Sequence, residues 1–372
     1  MFVPFTTRTK FVAARICAVL FLGFIAVCAS VTAEENMNPR VYISGYSPTI
    51  SCYTLDMATG ELKHLSASEG GKNPSYLAWS PDKKFLYACL ESGDGAIAAY
   101  SINPKDGSLT KINEASSAGK GPCHVSVHPS GKFVFSANYG SGHIGALPVS
   151  TNGGVGAPIE NILAGKNAHQ IISDKSGKYV LVPCLGSQYV AQYTIDSAGN
   201  LKLNTPPHAA VHDKAGPRHI ALHPNLKYAY LINEHDLTMT SFKYDAEKGT
   251  LSEPVTLPTV PPDTDRKGKS TAHVEVSPDG KFVYGSNRGH DSIVIYSVGT
   301  DGRLTLVGHE NGGGEVKIPR DFTIDPTGKY VLVANQKGDS ITVFKRDAEK
   351  GTLTKVSTTK VPPGPSFVGV MP

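Results

Sequence analysis

Hydrophobic and polar positions along this chain recur as one phrase: an apolar strand, a Pro-x-Gly-Lys-type turn, a second apolar strand, a polar break and a third strand. The phrase is plainest in HVSVHPSGKFVFSANYGSGHIGALPV (124–149), HIALHPNLKYAYLINEHDLTMTSFKY (219–244), HVEVSPDGKFVYGSNRGHDSIVIYSV (273–298) and DFTIDPTGKYVLVANQKGDSITVFKR (321–346). The turn residues Pro81, Pro129, Lys175, Pro224, Pro278 and Pro326 hold equivalent places, separated by 48, 46, 49, 54 and 48 residues. Several short strands per unit at that period predict an all-β chain folded as a β-propeller.

The copies open at Pro74-Ser75-Tyr76, Pro122-Cys123-His124, Asn167-Ala168-His169, Pro217-Arg218-His219, Thr271-Ala272-His273 and Pro319-Arg320-Asp321. A seventh opening, Pro365-Ser366-Phe367, is followed by one strand before the chain stops, and the missing three strands stand at 40–46, 50–56 and 61–67. The sequence therefore predicts seven blades, the last closed by pairing the N- and C-terminal strands, which removes the edges an open array would leave. No linker or composition shift marks a second domain within 34–372.

What the copies share is scaffold, so chemistry is sought where they differ. An Asn recurs 14 residues after the third member of several openings, at Asn138, Asn233, Asn287 and Asn335. Its place at a strand end reads as a turn cap. The residue after it changes from copy to copy, as Tyr139, Glu234, Arg288 and Gln336. Inner strands line a propeller's channel, so these residues and the opening triplets are expected to converge at one mouth. Arg218, Arg288 and Arg320 suit a carboxylate, a phosphate or an oxyanion, because the guanidinium fork matches their geometry. Glu234 and His169 suit proton transfer. The candidate catalytic set is His169, Arg218, Glu234 and Arg288, and the candidate substrate contacts are His124, His219, His273, Arg320, Asn138 and Gln336. Four histidines around a channel raise the question of a metal. Rings on separate blades need not reach the roughly 2 Å that zinc requires, so none is expected.

The chain's formal charge of +4 leaves no basic stripe for nucleic acid. Residues 1–33 read as a signal peptide: Arg8, Lys10 and Arg15 precede a nearly continuous apolar run from Ile16 to Val27, and Val31-Thr32-Ala33 suits cleavage before Glu34. The mature protein is then expected outside the cytoplasm, as a monomer with no membrane partner. Its net charge falls to +1 with those three basic residues gone. Cys52, Cys89, Cys123 and Cys184 remain, three of them in or beside apolar strands with no CxxC spacing, and read as buried free thiols. No G-x-S-x-G, Walker, dinucleotide or HExxH motif is present to support a nucleophilic serine, a nucleotide or a redox cofactor.

NPSYLAWSPD, PCHVSVHPSGKFVFSANYG, GPRHIALHPNLKYAYLINE, VSPDGKFVYGSNRGHDSI and PRDFTIDPTGKYVLVANQ together resemble the lactonase family of seven-bladed propellers, over essentially all of 39–372. That family is typified by bacterial 6-phosphogluconolactonase and related to the fungal 3-carboxy-cis,cis-muconate lactonizing enzyme. The resemblance implies a cofactor-free hydrolase that opens a sugar lactone by water attack, with its site on His169, Arg218, Glu234 and Arg288. A muconate-type cycloisomerase and a non-catalytic exported binding module remain as alternatives. The chain departs from the family pattern at Lys166-Asn167-Ala168-His169, where Pro-His-Ala-His is usual, and at His273, where glutamate is usual.

Overall fold

The computed structural model describes Met1 and residues 38–371. Apart from Met1, the expected leader, 1–33, lies outside them. Seven four-stranded antiparallel sheets make up the described chain. Numbered from the first complete copy, blades 1 to 6 span 74–116, 122–163, 172–210, 217–258, 270–310 and 319–360, and blade 7 joins 365–371 to 40–69. The closure is as expected: the C-terminal strand Pro365–Met371 pairs antiparallel with Arg40–Gly45, with Tyr42 opposite Gly369 and Val41 opposite Val370.

Each blade is twisted and apolar on both faces, so neighbours bury their flat sides against each other. Tyr42, Leu86, Ala98, Tyr100 and Phe367 fill the seam between blades 7 and 1, and Phe135, Ile144, Val182 and Tyr193 fill that between blades 2 and 3. Tyrosine hydroxyls add polar ties, donating to hairpin carbonyls of the next blade: Tyr42 to Gly107 at 2.9 Å and Tyr230 to Gly302 at 3.1 Å. Gly302 has φ +78°, and a Cβ there would fall 2.2 Å from the Tyr228 ring, so only glycine lets this turn lie against its neighbour.

One irregularity of the inner strands shapes the channel. In blade 4, Pro217 pairs with Asn233 and His219 with Ile232, so Arg218 is an extra residue with no partner opposite. The same bulge recurs at Ser75, Cys123 and Arg320. A bulge turns two successive side chains toward one side. In those blades the second and third members of the opening therefore both face the axis, as two stacked layers.

Free-edge amides of three inner strands are satisfied by side chains of the preceding blade. Gln170 Oε1 accepts the Ile220 N–H at 2.6 Å, Asp321 Oδ2 accepts that of Val368 at 3.1 Å, and Glu275 Oε2 accepts that of Ile324 at 2.8 Å. An unpaired buried amide would cost stability, which gives these polar side chains a structural part. The four cysteines are buried free thiols.

Candidate active site

Blade 3 corrects the sequence alignment by one residue. Its inner strand is only Ile172–Ser173, preceded by a single bridge between Ala168 and Cys184. That bridge is the counterpart of Pro217 with Asn233, so His169 matches Arg218 and Gln170 matches His219. His169 belongs to the upper layer, not among the third members His124, His219 and His273. The shift puts it at the arginine mouth. Ser75, Cys123, His169, Arg218, Arg320 and Ser366 line one small cavity there, with Tyr76, Glu91 and His219 completing its wall.

Glu234 follows the end of the strand Tyr228–Asn233, and its N–H donates to Gly216 O at 2.7 Å. Its carboxylate is clamped between two guanidiniums, Oε2 lying 2.8 Å from Arg218 Nε and Oε1 2.9 Å from Arg288 Nη2. Arg218 also donates to the carbonyl of Ala272 on the next blade. Arg288 donates from Nε and Nη2 to Thr271 O, at 3.1 and 2.8 Å. Both arginines are thus fixed by carbonyls of blade 5. Burial alone would raise the Glu234 pKa, but Arg218 and Arg288 outweigh it and hold the carboxyl below its usual range. Burial pushes Arg218 down to about 10, with Glu234 opposing, so it stays charged at neutral pH.

Arg320 is differently placed. It takes part in neither ion pair of Glu234, and its guanidinium lies 5.6 Å from the centre of the Tyr46 ring. Tyr46 donates to Glu91 Oε2 at 3.3 Å. Tyr46 and Glu91 were not picked out from sequence, although they occupy the variable slot of blades 7 and 1. The slot's Asn is replaced there by Gly45 and Leu90, which hid the match.

His169 is 5 % exposed, with Nδ1 3.8 Å from Cys123 Sγ and the Tyr139 ring edge-on at 5.6 Å. Burial, then the charges of Arg218 and Arg320, hold its pKa well below the usual value, so the ring is neutral at pH 7 and open to accept a proton.

Of the remaining candidates, His219 reaches the wall of the mouth cavity and the others fall outside it. His124, His219 and His273 form the lower layer with Tyr76, adjacent ring centres lying 4.3 Å (Tyr76–His124), 5.6 Å (His124–His219) and 5.1 Å (His219–His273) apart. His124 and His273 line a separate cavity of about 300 Å³ on the far side of that layer, so neither is a mouth residue. Asn138 is fully buried, accepting from Ser117 Oγ at 2.6 Å and donating to Ser117 O and His143 O at 2.8 and 3.0 Å. Its amide is used up as a turn cap, which removes it from substrate contact. Gln336 is half-buried in the blade 6 slot, its backbone N–H donating to Ile318 O at 3.2 Å, and, like Glu234 and Arg288, it lies outside the small cavity but takes no part in the Glu234 ion pairs. Among the described residues no group of three His, Cys, Asp or Glu side chains is placed to hold a metal ion.

Residues 40–370 match the family model for the seven-bladed β-propeller lactonases. The chain is 33 % identical over 340 residues to the 6-phosphogluconolactonase of Bacillus subtilis, covering 88 % of this chain and 95 % of that one. It is 32 % identical over 340 residues to the 6-phosphogluconolactonase of Pectobacterium atrosepticum, covering 90 % and 99 %. The solved structure of the periplasmic gluconolactonase of Pseudomonas aeruginosa superposes with a TM-score of 0.83 at 26 % identity, covering 90 % of this chain and 99 % of that one. With its arginine-clamped carboxylate and neutral histidine at one channel mouth, the chain belongs to the lactonase family of seven-bladed β-propellers and is a lactone hydrolase.

Proposed function

We propose that this enzyme opens an aldonolactone outside the cytoplasm, at the mouth formed by His169, Arg218, Glu234, Arg288 and Arg320. The observation that carries the reading is the division of labour among the arginines. Glu234 pairs with both Arg218 and Arg288, a trio left with a net positive charge, and Arg320, outside both pairs, is the cation that meets a carboxylate, phosphate or hydroxyl-rich end of the substrate. Arg288 spends Nε and Nη2 on Thr271 and Glu234, and its Nη1 remains for the oxyanion that forms as water adds to the carbonyl. His169, neutral and buried, takes the proton of the attacking water. Glu234, held ionised, acts by fixing both guanidiniums.

The leader pattern of 1–33 supports export, where plain sugar lactones rather than sugar phosphates are met. Among the described residues no helix is long and apolar enough to cross a membrane. The mature chain is read as a monomer acting on a small molecule, without nucleic acid or membrane. Steady-state rates on glucono-1,5-lactone and its 6-phosphate, corrected for spontaneous opening, test the substrate. The plain lactone should be turned over with the higher kcat/KM. A preference for the phosphorylated lactone contradicts the extracytoplasmic reading, and no rate above the spontaneous one on either contradicts the function.

A further inference from the structure

Beneath the mouth lies a second set of ionisable side chains that the scheme above leaves without a part. His219 Nδ1 is 2.8 Å from His273 Nδ1. His273 stands between two carboxylates, its Nδ1 3.4 Å from Asp321 Oδ1 and its Nε2 3.5 Å from Glu275 Oε1. On the other side, His219 Nε2 is buried with no partner among the described residues. His219 also forms part of the mouth cavity wall, beside His169, with ring centres 5.2 Å apart. That cavity, of about 10 Å³, has room for roughly one water. A line of contacts therefore runs from the mouth, through two hydrogen-bonded rings, to a pair of acids at the far cavity.

The charges along this line are graded. A proton on His219 sits beside the Arg218 guanidinium, whereas a proton on His273 sits between Asp321 and Glu275. The groups facing the two rings from the packed blades are Tyr76, His124, His169, Arg218, Glu275 and Asp321. Burial and then Arg218 hold the His219 pKa well below its usual value. Burial works against His273 too, but Asp321 and Glu275 outweigh it and raise its pKa. Burial raises Asp321 itself to about 6, with His273 opposing, so His273 and Asp321 titrate as one coupled pair.

We propose that His219, His273, Asp321 and Glu275 form a proton store for lactone opening. This rests on the mouth being the hydrolytic site. As the water oxygen bonds to the lactone carbonyl carbon, one of its O–H bonds breaks, and the proton passes from His169 through the cavity to His219 Nε2. His219 then gives its Nδ1 proton to His273 Nδ1, one N–H bond breaking as the other forms. The imidazolium rests between Asp321 and Glu275. When the tetrahedral intermediate collapses and the bond from carbonyl carbon to ring oxygen breaks, the proton returns by the same contacts to that oxygen. The protein is left as it began, and the new carboxylic acid ionises into solvent.

The store must be empty to receive a proton, so kcat is expected to fall as the pH drops through the ionisation of the pair. In Asp321→Asn, which still offers an oxygen to the Val368 N–H, the acid limb of the kcat profile should move down by about one pH unit, because one group favouring the imidazolium is gone. The plateau kcat should drop about tenfold with KM unchanged. Glu275→Gln, on a less buried position, should move the limb the same way by less, and it decides the matter should Asp321→Asn fail to fold. An acid limb that stays in place in the folded variants overturns the store, whether or not kcat falls, since packing damage lowers kcat equally at all pH. Histidine ¹⁵N titration without substrate separates this from the functional reading. His273 should titrate lower in both variants than in the parent, and an unchanged His273 curve overturns the proposal even in a protein with full lactonase activity. A parent that shows the histidine shifts but turns over no lactone refutes the functional reading instead.

Discussion

Glu234 Oε2 lies 2.8 Å from Arg218 Nε, and only 4 % of the arginine side chain reaches solvent. A guanidinium so placed depends on its carboxylate for structure as well as for chemistry. Glu234→Gln should lower stability by roughly 3 kcal/mol, the scale for breaking a buried ion pair on one side, and lower kcat/KM at least about a hundredfold. Denaturant midpoints and steady-state rates measure both. A variant as stable as the parent would show that Arg218 does not need Glu234 in order to remain buried.

Asn138 offers the contrasting case. Its amide serves Ser117 and His143 inside the blade, away from the mouth cavity. Asn138→Ala should cost about 1–3 kcal/mol, the penalty for leaving such partners unpaired, with kcat/KM on the preferred lactone within about twofold of the parent. A large loss of rate in a stable Asn138→Ala protein would return this residue to the site.

The closing strand makes the C-terminus indispensable. Phe367 and Val368 are buried in two different interblade clusters, and Pro365–Met371 is the inner strand of blade 7. Deleting residues 365–372 should therefore leave Arg40–Gly45 as an unpaired apolar edge and give an aggregating protein. A soluble truncated chain with unaltered melting would contradict ring closure.

The inner histidines set a direction for acid sensitivity. Burial lowers His124 to about 3, so its folded pKa lies below the unfolded one near 6.5. Stability from such a group is fully present above about pH 6.5 and is lost as the pH falls toward 3. His169 and His219 are lowered as well and act in the same sense, as does Glu234 below its ordinary carboxylate range. His273 and Asp321 are raised and offset part of this, gaining on acidification. With three lowered histidines against one coupled pair, the melting temperature should fall by several degrees between pH 7.5 and pH 5. A constant or rising melting temperature over that window would contradict the neutral state assigned to these rings.

Much of this was legible in the sequence because a propeller repeats its grammar. Period-2 apolar strands, Pro-x-Gly-Lys turns and the fixed Asn slots named the blades, and the orphan strand after Pro365 showed where the ring closes. Glu234 and Arg288 stood out because they vary beside a constant Asn. The failures have separate causes. In blade 3 His169 precedes the turn residue Lys175 by six positions, as Arg218 precedes Pro224, but histidine is the third member of three other openings and the inner strand is cut to two residues, so a match by residue type sets His169 one layer too low. Asn138 could not be told from a site residue, because a cap and a ligand contact use the same amide. That Arg218 and Arg288 share one carboxylate while Arg320 does not is a matter of side-chain direction at bulges, which no spacing encodes.

The proposed mechanism has the lactone opened at the arginine mouth with His169 as the base. It is tested most directly by kcat/KM on glucono-1,5-lactone, above the spontaneous rate, for the parent and for His169→Asn with matched melting temperatures. The predicted result is a parent that is active and a variant at least about a hundredfold slower with KM little changed, the scale of losing a positioned base. A folded His169→Asn protein that turns over the lactone at the parent's rate would contradict it.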